Sequence, residues 1–290
     1  MEGTMYQSFL RRARQFLPKS RGDKVAFAFL VVIIHLIFYF ELYRVLPEIY
    51  HEPCLASYIH TAFMAFVYIN TVGNLFMMMY VDTTTGSHVL PSVLKPGWHF
   101  CASCEANAPP RSFHCWECGT CILKRIHHCT FTGNCAAWAN QRYYIVFLLY
   151  MSIGAVYTNI MNFDYVWDVM GGLTVKSILT MFAPLIMWLA GMAKAHTFFV
   201  SLMSMVCLIG GVFSMVLFYF HSKLTLMNRT VFEFNKRIND YDLGWQRNLE
   251  QAFGTRWQLV WLFPLLPSPL LGNGLEFPVN SDVSEAVKDM

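Results

Sequence analysis

The sequence predicts an all-α polytopic membrane protein with four transmembrane helices and a cysteine-rich domain between the second and third helices. Apolar residues make up 56% of the 290 residues and charged residues only 13%, against about a quarter in soluble proteins. Several apolar stretches approach or exceed the roughly 20 residues that a membrane helix needs. Seven of the nine cysteines lie between Cys101 and Cys135. A net charge of +3 is too small to indicate a nucleic-acid partner.

The sequence of residues 1–80 predicts a cytosolic tail followed by two membrane helices. Residues 1–24 are polar and basic, and they lack the apolar core and cleavage site of a signal peptide. The tail is either a solvated segment or an amphipathic helix that places four apolar residues on the membrane surface: Phe9, Leu10, Phe16 and Leu17. Residues 25–80 contain the first two predicted spans, separated by a short loop with two prolines.

We predict the other two spans within residues 143–220, together with one further apolar segment that does not cross the membrane. Residues 177–192 are apolar, but the stretch is short and contains Pro184. Lys and Arg are concentrated before residue 25, in 81–142 and after residue 220, so the positive-inside rule places all three regions in the cytosol. An even number of crossings is then required. We therefore expect 177–192 to be non-spanning, either re-entrant or packed along the bundle; the alternative is a tight hairpin with the next stretch.

The region 81–142 predicts a cytosolic zinc-binding domain. Short Cys-x2-Cys loops each supply two ligands, and two tetrahedral sites need eight nitrogen or sulfur ligands. Clustered cysteines of this kind suit reduced, metal-bound thiols in the cytosol. The first predicted set contains Cys101, Cys104, His114 and Cys121. The second set, interleaved with the first, contains Cys115, Cys118, His128 and Cys135.

This assignment leaves Cys129 and His127 without a metal ion. A cysteine beside a histidine, both held between two metal sites, is the arrangement that an activated thiolate nucleophile needs. The alternative is that Cys129 is itself a zinc ligand in another pairing.

The cysteine block resembles the cysteine-rich domain of the DHHC-type protein S-acyltransferases, or palmitoyltransferases. Their pattern is C-x2-C-x9-H-C-x2-C-x2-C-x4-D-H-H-C-x5-C-x4-N-x3-F, and this chain follows it with Asn140 and Tyr144 at the last two positions. The signature Asp is replaced by Ile126. Thr130 and Phe131 stand where the family often has Pro-Trp.

The tail after the last span carries two further resemblances. Residues 229–233 resemble the family's Thr-Thr-x-Glu segment, with Val231 in place of the second Thr and Glu233 at its end. Asn248 matches the structural asparagine of the family's C-terminal segment. From the sequence alone, Glu233 could also be a solvated helix charge. Residues 221–290 are expected to form a cytosolic C-terminal region.

The resemblance implies transfer of palmitate from palmitoyl-CoA to a cytosolic-face cysteine of membrane-associated proteins, in the endoplasmic reticulum or Golgi. Cys129 would be the nucleophile, His127 the base, and the two zinc ions structural. The acyl chain would lie among the helices, where Gly154 leaves room. Candidates to contact the CoA phosphates are Lys124, Arg125 and Arg142, although as ordinary positive-inside residues they need no such role.

Ile126 leaves the function open between three hypotheses. A carboxylate partner normally fixes the tautomer of a catalytic histidine and stabilises its cation, and isoleucine can do neither. The chain is therefore an active but slow S-acyltransferase, an impaired relative that binds acyl-CoA or client proteins, or a membrane zinc scaffold such as a RING-like ligase. RING spacing leaves no spare Cys beside a spare His, which disfavours the last. Since Ile126 and Val231 both replace polar residues, we expect them to contact each other.

Overall fold

The computed structural model describes residues 17–280, so the alternatives for Phe9, Leu10 and Phe16 lie outside the described residues. Its ten α-helices, within that range, are α1 Arg21–Phe40, α2 Leu46–Ile49, α3 Leu55–Tyr80, α4 Gln141–Met161, α5 Phe163–Met170, α6 Val175–Phe182, α7 Pro184–Leu189, α8 Ala195–Leu226, α9 Val231–Lys236 and α10 Trp245–Phe253. Its six three-residue strands are β1 His99–Cys101, β2 Ala106–Ala108, β3 Phe113–Cys115, β4 Thr120–Ile122, β5 His127–Cys129 and β6 Asn134–Ala136.

Four helical stretches of the described chain are long and apolar enough to cross a membrane, which confirms the predicted fold class. The first joins α1 and α2 through a π-helical turn at Glu41–Val45 and runs over 29 residues. The others are α3, α4 and α8, with 26, 21 and 32 residues. The cysteine-rich strands β1–β6 all lie between α3 and α4 in the chain. The protein is therefore an integral membrane protein with its cysteine-rich domain between the second and third spans.

The apolar segment after α5 forms two short helices. Helix α6 has eight residues and α7 has six, with Pro184 at the start of α7, so neither approaches the length of about 20 residues that a span needs. The polar side chains of Ser177 and Thr180 are buried, whereas Phe182 and Ile186 are exposed. Apolar side chains that face outward from a polar interior suit a surface in contact with lipid.

The chain divides into two compact units, and the second contains Val31–Thr71 and Leu148–Phe218. Small residues allow its helices to approach closely. A Cβ on Gly154 would lie 3.2 Å from Val67 Cγ1, and a Cβ on Gly211 would lie 2.7 Å from the Ala155 Cβ. Gly154 therefore packs against a neighbouring helix.

The first unit contains, within the described range, residues 17–30, 72–147 and 219–280. Its strands form three separate antiparallel hairpins, β1–β2, β3–β4 and β5–β6. Asn140 is fully buried and joins the third hairpin to the end of α3, because its Nδ2 donates to the backbone oxygens of Met78 and Cys135 at 2.9 and 3.0 Å. This bond network fixes where the cysteine-rich domain ends and α4 begins.

Four crossings would place both chain termini on the same side of the membrane, and we predict that this is the cytosolic side. Tags added at residue 1 and residue 290 should both be digested by protease applied to the cytosolic face of sealed microsomes. A protease site inserted in the 50–54 loop, between the first two spans, is the internal control and should be protected from the same protease. Opposite protection of the two terminal tags would contradict the four-span arrangement.

Candidate functional site

The first metal-binding set combines the turn of hairpin β1–β2 with a residue pair on hairpin β3–β4. Cys101 ends β1 and Cys104 lies in the turn, while His114 and Cys121 face each other across β3 and β4. The His114 Nδ1 lies 3.7 Å from Cys101 Sγ and 3.2 Å from Cys104 Sγ. All four donor atoms lie within 4.8 Å of one another.

The second set repeats this arrangement one hairpin further along. Cys115 and Cys118 lie at the end of β3 and in the following turn, and His128 faces Cys135 across β5 and β6. The Sγ atoms of Cys118 and Cys135 are 3.7 Å apart, and the His128 Nδ1 lies 3.5 to 3.7 Å from the three sulfurs. Tetrahedral zinc with bonds of about 2.0–2.3 Å requires donor separations of about 3.5–3.8 Å. The donors therefore fit zinc.

The alternation of side chains along a strand explains why the two sets interleave. Adjacent strand residues point to opposite faces, so His114 joins the first set while Cys115 joins the second. The same rule applies to β5. His128 joins the second set, and its neighbours His127 and Cys129 share the opposite face. Among residues 17–280, neither metal-binding set includes Cys129 or His127.

His127 is held by aromatic rings. Its ring centroid lies 4.9 Å from that of Tyr144 on α4 and 4.8 Å from that of His221 on α8. Tyr144 and His221 also contact each other in an edge-to-face arrangement at 4.9 Å. Within the described chain, the buried Nδ1 of His127 has no hydrogen-bond partner. Packing against the side-chain rings of Tyr144 and His221 therefore orients this imidazole.

The protonation of the pair is set by burial. Burial lowers the pKa of His127 to about 3, and neighbouring positive groups add to the shift. Burial also raises the pKa of the Cys129 thiol. Both shifts favour neutral imidazole and neutral thiol over the ion pair. The position where a carboxylate would oppose these shifts is occupied by the buried Ile126, whose backbone N–H donates to the Ala136 oxygen at 2.9 Å.

Comparison with known proteins supports the same assignment. A protein-family model described as DHHC palmitoyltransferase matches residues 94–238. A protein named probable palmitoyltransferase ZDHHC24 from Homo sapiens is 32% identical over 231 residues, which cover 79% of this chain and 81% of that protein. Palmitoyltransferase ZDHHC15 from Homo sapiens is 30% identical over 209 residues, covering 69% of this chain and 54% of that protein.

The chain belongs to the DHHC palmitoyltransferase family. It is thus a member of a family of protein S-acyltransferases, as the cysteine block predicted. Ile126 stands in this chain where the family signature has Asp. The chain nevertheless has both sets of candidate metal ligands and the His127 and Cys129 pair.

The three candidate cations of this DHHC protein occupy different environments. Lys124 is only 1% exposed, and its ammonium donates to Asn228 Oδ1 at 2.8 Å and Gln141 Oε1 at 3.2 Å. Burial lowers the pKa of Lys124 well below its usual range. Its side chain is therefore an internal donor, in contrast to the expected contact with CoA phosphates, because its nitrogen is enclosed by protein groups.

The other two cations are less enclosed. Arg125 is half-buried, and its Nη2 lies 3.8 Å from Cys115 Sγ. The Arg142 guanidinium lies 4.3 Å from the Tyr143 ring centroid and donates to the Ser268 carbonyl at 3.2 Å. Both are partly accessible, as contact with a phosphate requires.

A buried ion pair joins the cysteine-rich domain to the C-terminal segment. The Arg111 guanidinium donates to the two carboxylate oxygens of Glu233 at 2.7 and 2.8 Å, and to the Asn228 carbonyl at 2.7 Å. Glu233 also caps α9, because its carboxylate accepts from the Thr230 N–H while the Thr230 hydroxyl accepts from the Glu233 N–H. Glu233 is therefore buried and paired rather than a solvated helix charge.

Asn248 holds the segment that follows α8. It is fully buried. Its Nδ2 donates to the Leu226 carbonyl and to Asp242 Oδ1, both at 2.7 Å, and its Oδ1 accepts from the Leu243 N–H at 3.0 Å. These bonds connect the end of α8 with the turn before α10.

The metal-ligand sets predict the zinc content of variants. Cys121→Ala and Cys135→Ala should each lower bound zinc from two ions to about one per chain, because each removes one of four ligands from a different set. Elemental analysis of purified protein in detergent measures this content. Cys129→Ser is the matched control and should keep both ions; a loss of zinc in that variant would place Cys129 among the ligands.

The Arg111–Glu233 pair predicts a large loss of stability when one partner is removed. Glu233→Gln should lower the free energy of unfolding by about 3–5 kcal/mol, since it leaves the Arg111 charge buried without its counter-ion. The thermal midpoint in detergent, followed by fluorescence, reports the change. Glu276→Gln, at an exposed position, is the charge-matched control. Equal midpoints for the two variants would show that the pair contributes little.

Proposed function

We propose that this protein is a protein-cysteine S-palmitoyltransferase that works through an acyl-Cys129 intermediate. The observation that carries the proposal is the placement of His127 and Cys129 on one face of β5, while His128 on the other face joins a metal-binding set. A zinc ion in that set would supply structural rigidity and no reacting group. The thiol and the imidazole therefore lie on the same face of a short strand, and the metal-binding set that contains His128 fixes the orientation of that strand.

The reaction transfers one acyl group in two steps. His127 accepts the proton of the Cys129 thiol, and the thiolate attacks the carbonyl carbon of palmitoyl-CoA. The CoA thiolate leaves and takes the proton from His127, which gives acyl-Cys129. A substrate cysteine then gives its proton to His127 and attacks this thioester, and the leaving Cys129 thiolate takes the proton back. The substrate cysteine lies at the cytosolic face of a membrane-associated protein, and the enzyme resides in the endoplasmic reticulum or Golgi.

The acyl donor has two chemically different parts that need different surroundings. The acyl chain needs an apolar environment, for which we propose the membrane helices. Val67 lies against Gly154, so the room expected at this glycine is taken by a neighbouring helix. The CoA phosphates need cations, and the partly accessible Arg125 and Arg142 suit them better than the enclosed Lys124 does. In this proposal, Lys124 supports the site from within.

A second candidate function is favoured by the state of His127. Its Nδ1 has no partner in the described chain and its pKa is lowered to about 3, so thiolate formation is less favourable than with a carboxylate partner. An impaired relative that binds acyl-CoA or client proteins without transferring the acyl group would have this character. The two candidates differ in whether Cys129 becomes acylated.

Acyl labelling separates the two candidates. Purified protein incubated with an alkyne analogue of palmitoyl-CoA should gain a label that hydroxylamine releases, because thioesters are cleaved by this reagent. Cys129→Ser should abolish the label, whereas Cys54→Ser and Cys207→Ser should keep it. An unlabelled wild-type protein that still binds acyl-CoA would support the second candidate.

The replaced aspartate predicts a coupled response. We expect Ile126→Asp alone to raise the rate of self-acylation little, because the new carboxylate would face the apolar Val231. The double variant Ile126→Asp with Val231→Thr should lower the activation free energy of self-acylation by more than the sum of the changes in the two single variants. Single-turnover acylation rates of the four proteins measure the coupling. Additive effects would show that Ile126 and Val231 do not act as neighbours.

A further inference from the structure

Three contacts join the start of α1 to the second metal-binding set and its hairpin. The Asp23 carboxylate oxygen Oδ2 lies 3.2 Å from His128 Nε2, and both side chains are less than a tenth exposed. The Lys19 ammonium donates to the Cys118 carbonyl at 2.6 Å. A Cβ on Gly133 would lie 2.4 Å from the Pro18 Cβ, so the turn between β5 and β6 touches Pro18 directly.

The local structure of α1 presents Asp23 to the hairpin. The Ser20 hydroxyl accepts a hydrogen bond from the Asp23 N–H at 3.0 Å, which satisfies a backbone donor in the first turn of the helix. Asp23 lies in this first turn. The carboxylate is therefore fixed relative to the helix axis, and its partner His128 is fixed by β5.

The contact has a specific meaning for metal binding. A histidine that ligates a metal through one ring nitrogen commonly donates its other N–H to a carboxylate, which fixes the tautomer and the ring orientation. His128 faces the three thiols through Nδ1, which leaves the Nε2 hydrogen for Asp23. His114 of the first set has a different neighbour. No carboxylate within residues 17–280 forms an ion pair with it, and its ring packs against Trp116 at 4.6 Å.

We propose that Asp23 is a positioning residue for the second zinc site. Together with Pro18 and Lys19 it forms an N-terminal clamp. Asp23 and Pro18 hold the β5–β6 hairpin, which carries Cys129, to the start of the first membrane helix, and Lys19 holds the β3–β4 turn at Cys118. The clamp acts on Cys129 through His128 and Gly133, since both lie on the same hairpin. The inference does not depend on acyl transfer, because it concerns metal retention and the placement of the hairpin.

The experiment follows the loss of zinc from each set separately. Full-length protein in detergent is mixed with an excess of a chelator and N-ethylmaleimide, and the alkylation of each cysteine is followed by peptide mass spectrometry. Asp23→Ala should speed the alkylation of the second set about tenfold, since removing a carboxylate that holds a ligating histidine costs about 10–100-fold in metal affinity. The three thiols of that set are Cys115, Cys118 and Cys135.

Two further variants separate positioning from general loosening. Asp23→Asn retains an oxygen acceptor for His128 Nε2, so its effect should lie between those of the wild type and Asp23→Ala. Lys19→Met should give a smaller acceleration of the same three thiols. Asp240→Asn is the control for loss of a carboxylate charge and should leave all rates unchanged.

The outcome is decided by which thiols respond. In Asp23→Ala, the first-set thiols Cys101, Cys104 and Cys121 should keep their wild-type rates of alkylation, because their histidine does not contact Asp23. Equal acceleration of both sets would mean that the variant merely loosens the domain, and this would overturn the proposal. Unchanged rates in the second set, or acceleration confined to the first set, would overturn it as well.

Discussion

The convergence of three thiols and one imidazole at each of two points is the constraint on which the cysteine-rich domain depends. Its strands have three residues each and form separate two-stranded hairpins, which are marginal in water on their own. Each donor set joins the turn of one hairpin to a facing pair on the next. The hairpins are therefore linked in series, and the third one carries His127 and Cys129.

A network of buried polar groups extends this rigidity to the C-terminal segment. Arg111 pairs with Glu233, and Asn228 accepts from both Arg111 and Lys124. Arg111, Lys124 and Asn228 all have positive φ, a conformation that is uncommon outside glycine. Such backbone strain persists where surrounding contacts determine the conformation, and here Arg111 and Lys124 both donate to Asn228. Glu233 is the counter-ion of the buried Arg111 charge, and without it the cost of removing that charge from water would not be offset.

The reactive pair lies in an environment that favours neutral groups. Tyr144 and His221 enclose the His127 ring, and Ile126 supplies no charge beside it. A family member with aspartate at this position would favour the imidazolium over the neutral form, whereas this chain relies on ring packing for orientation. The two candidate metal-ligand sets thus match the family pattern, while the electrostatic support of the base differs. The carboxylate–histidine contact of the proposed clamp joins Asp23 to the metal-ligating His128 and not to the base His127.

The sequence by itself determined the four spans, the two ligand sets and the remaining His127 and Cys129, because length, hydropathy and short cysteine spacings are local properties. It could not determine partners that are distant in the chain. Asp23 meets His128, Arg111 meets Glu233, and His221 meets His127 only after folding. A lysine near a cysteine cluster also looks the same in sequence whether exposed or enclosed, so the burial of Lys124 was decided by tertiary structure. The spacing of the metal ligands is a property of one short segment of the sequence, whereas burial and long-range pairing depend on how distant segments pack.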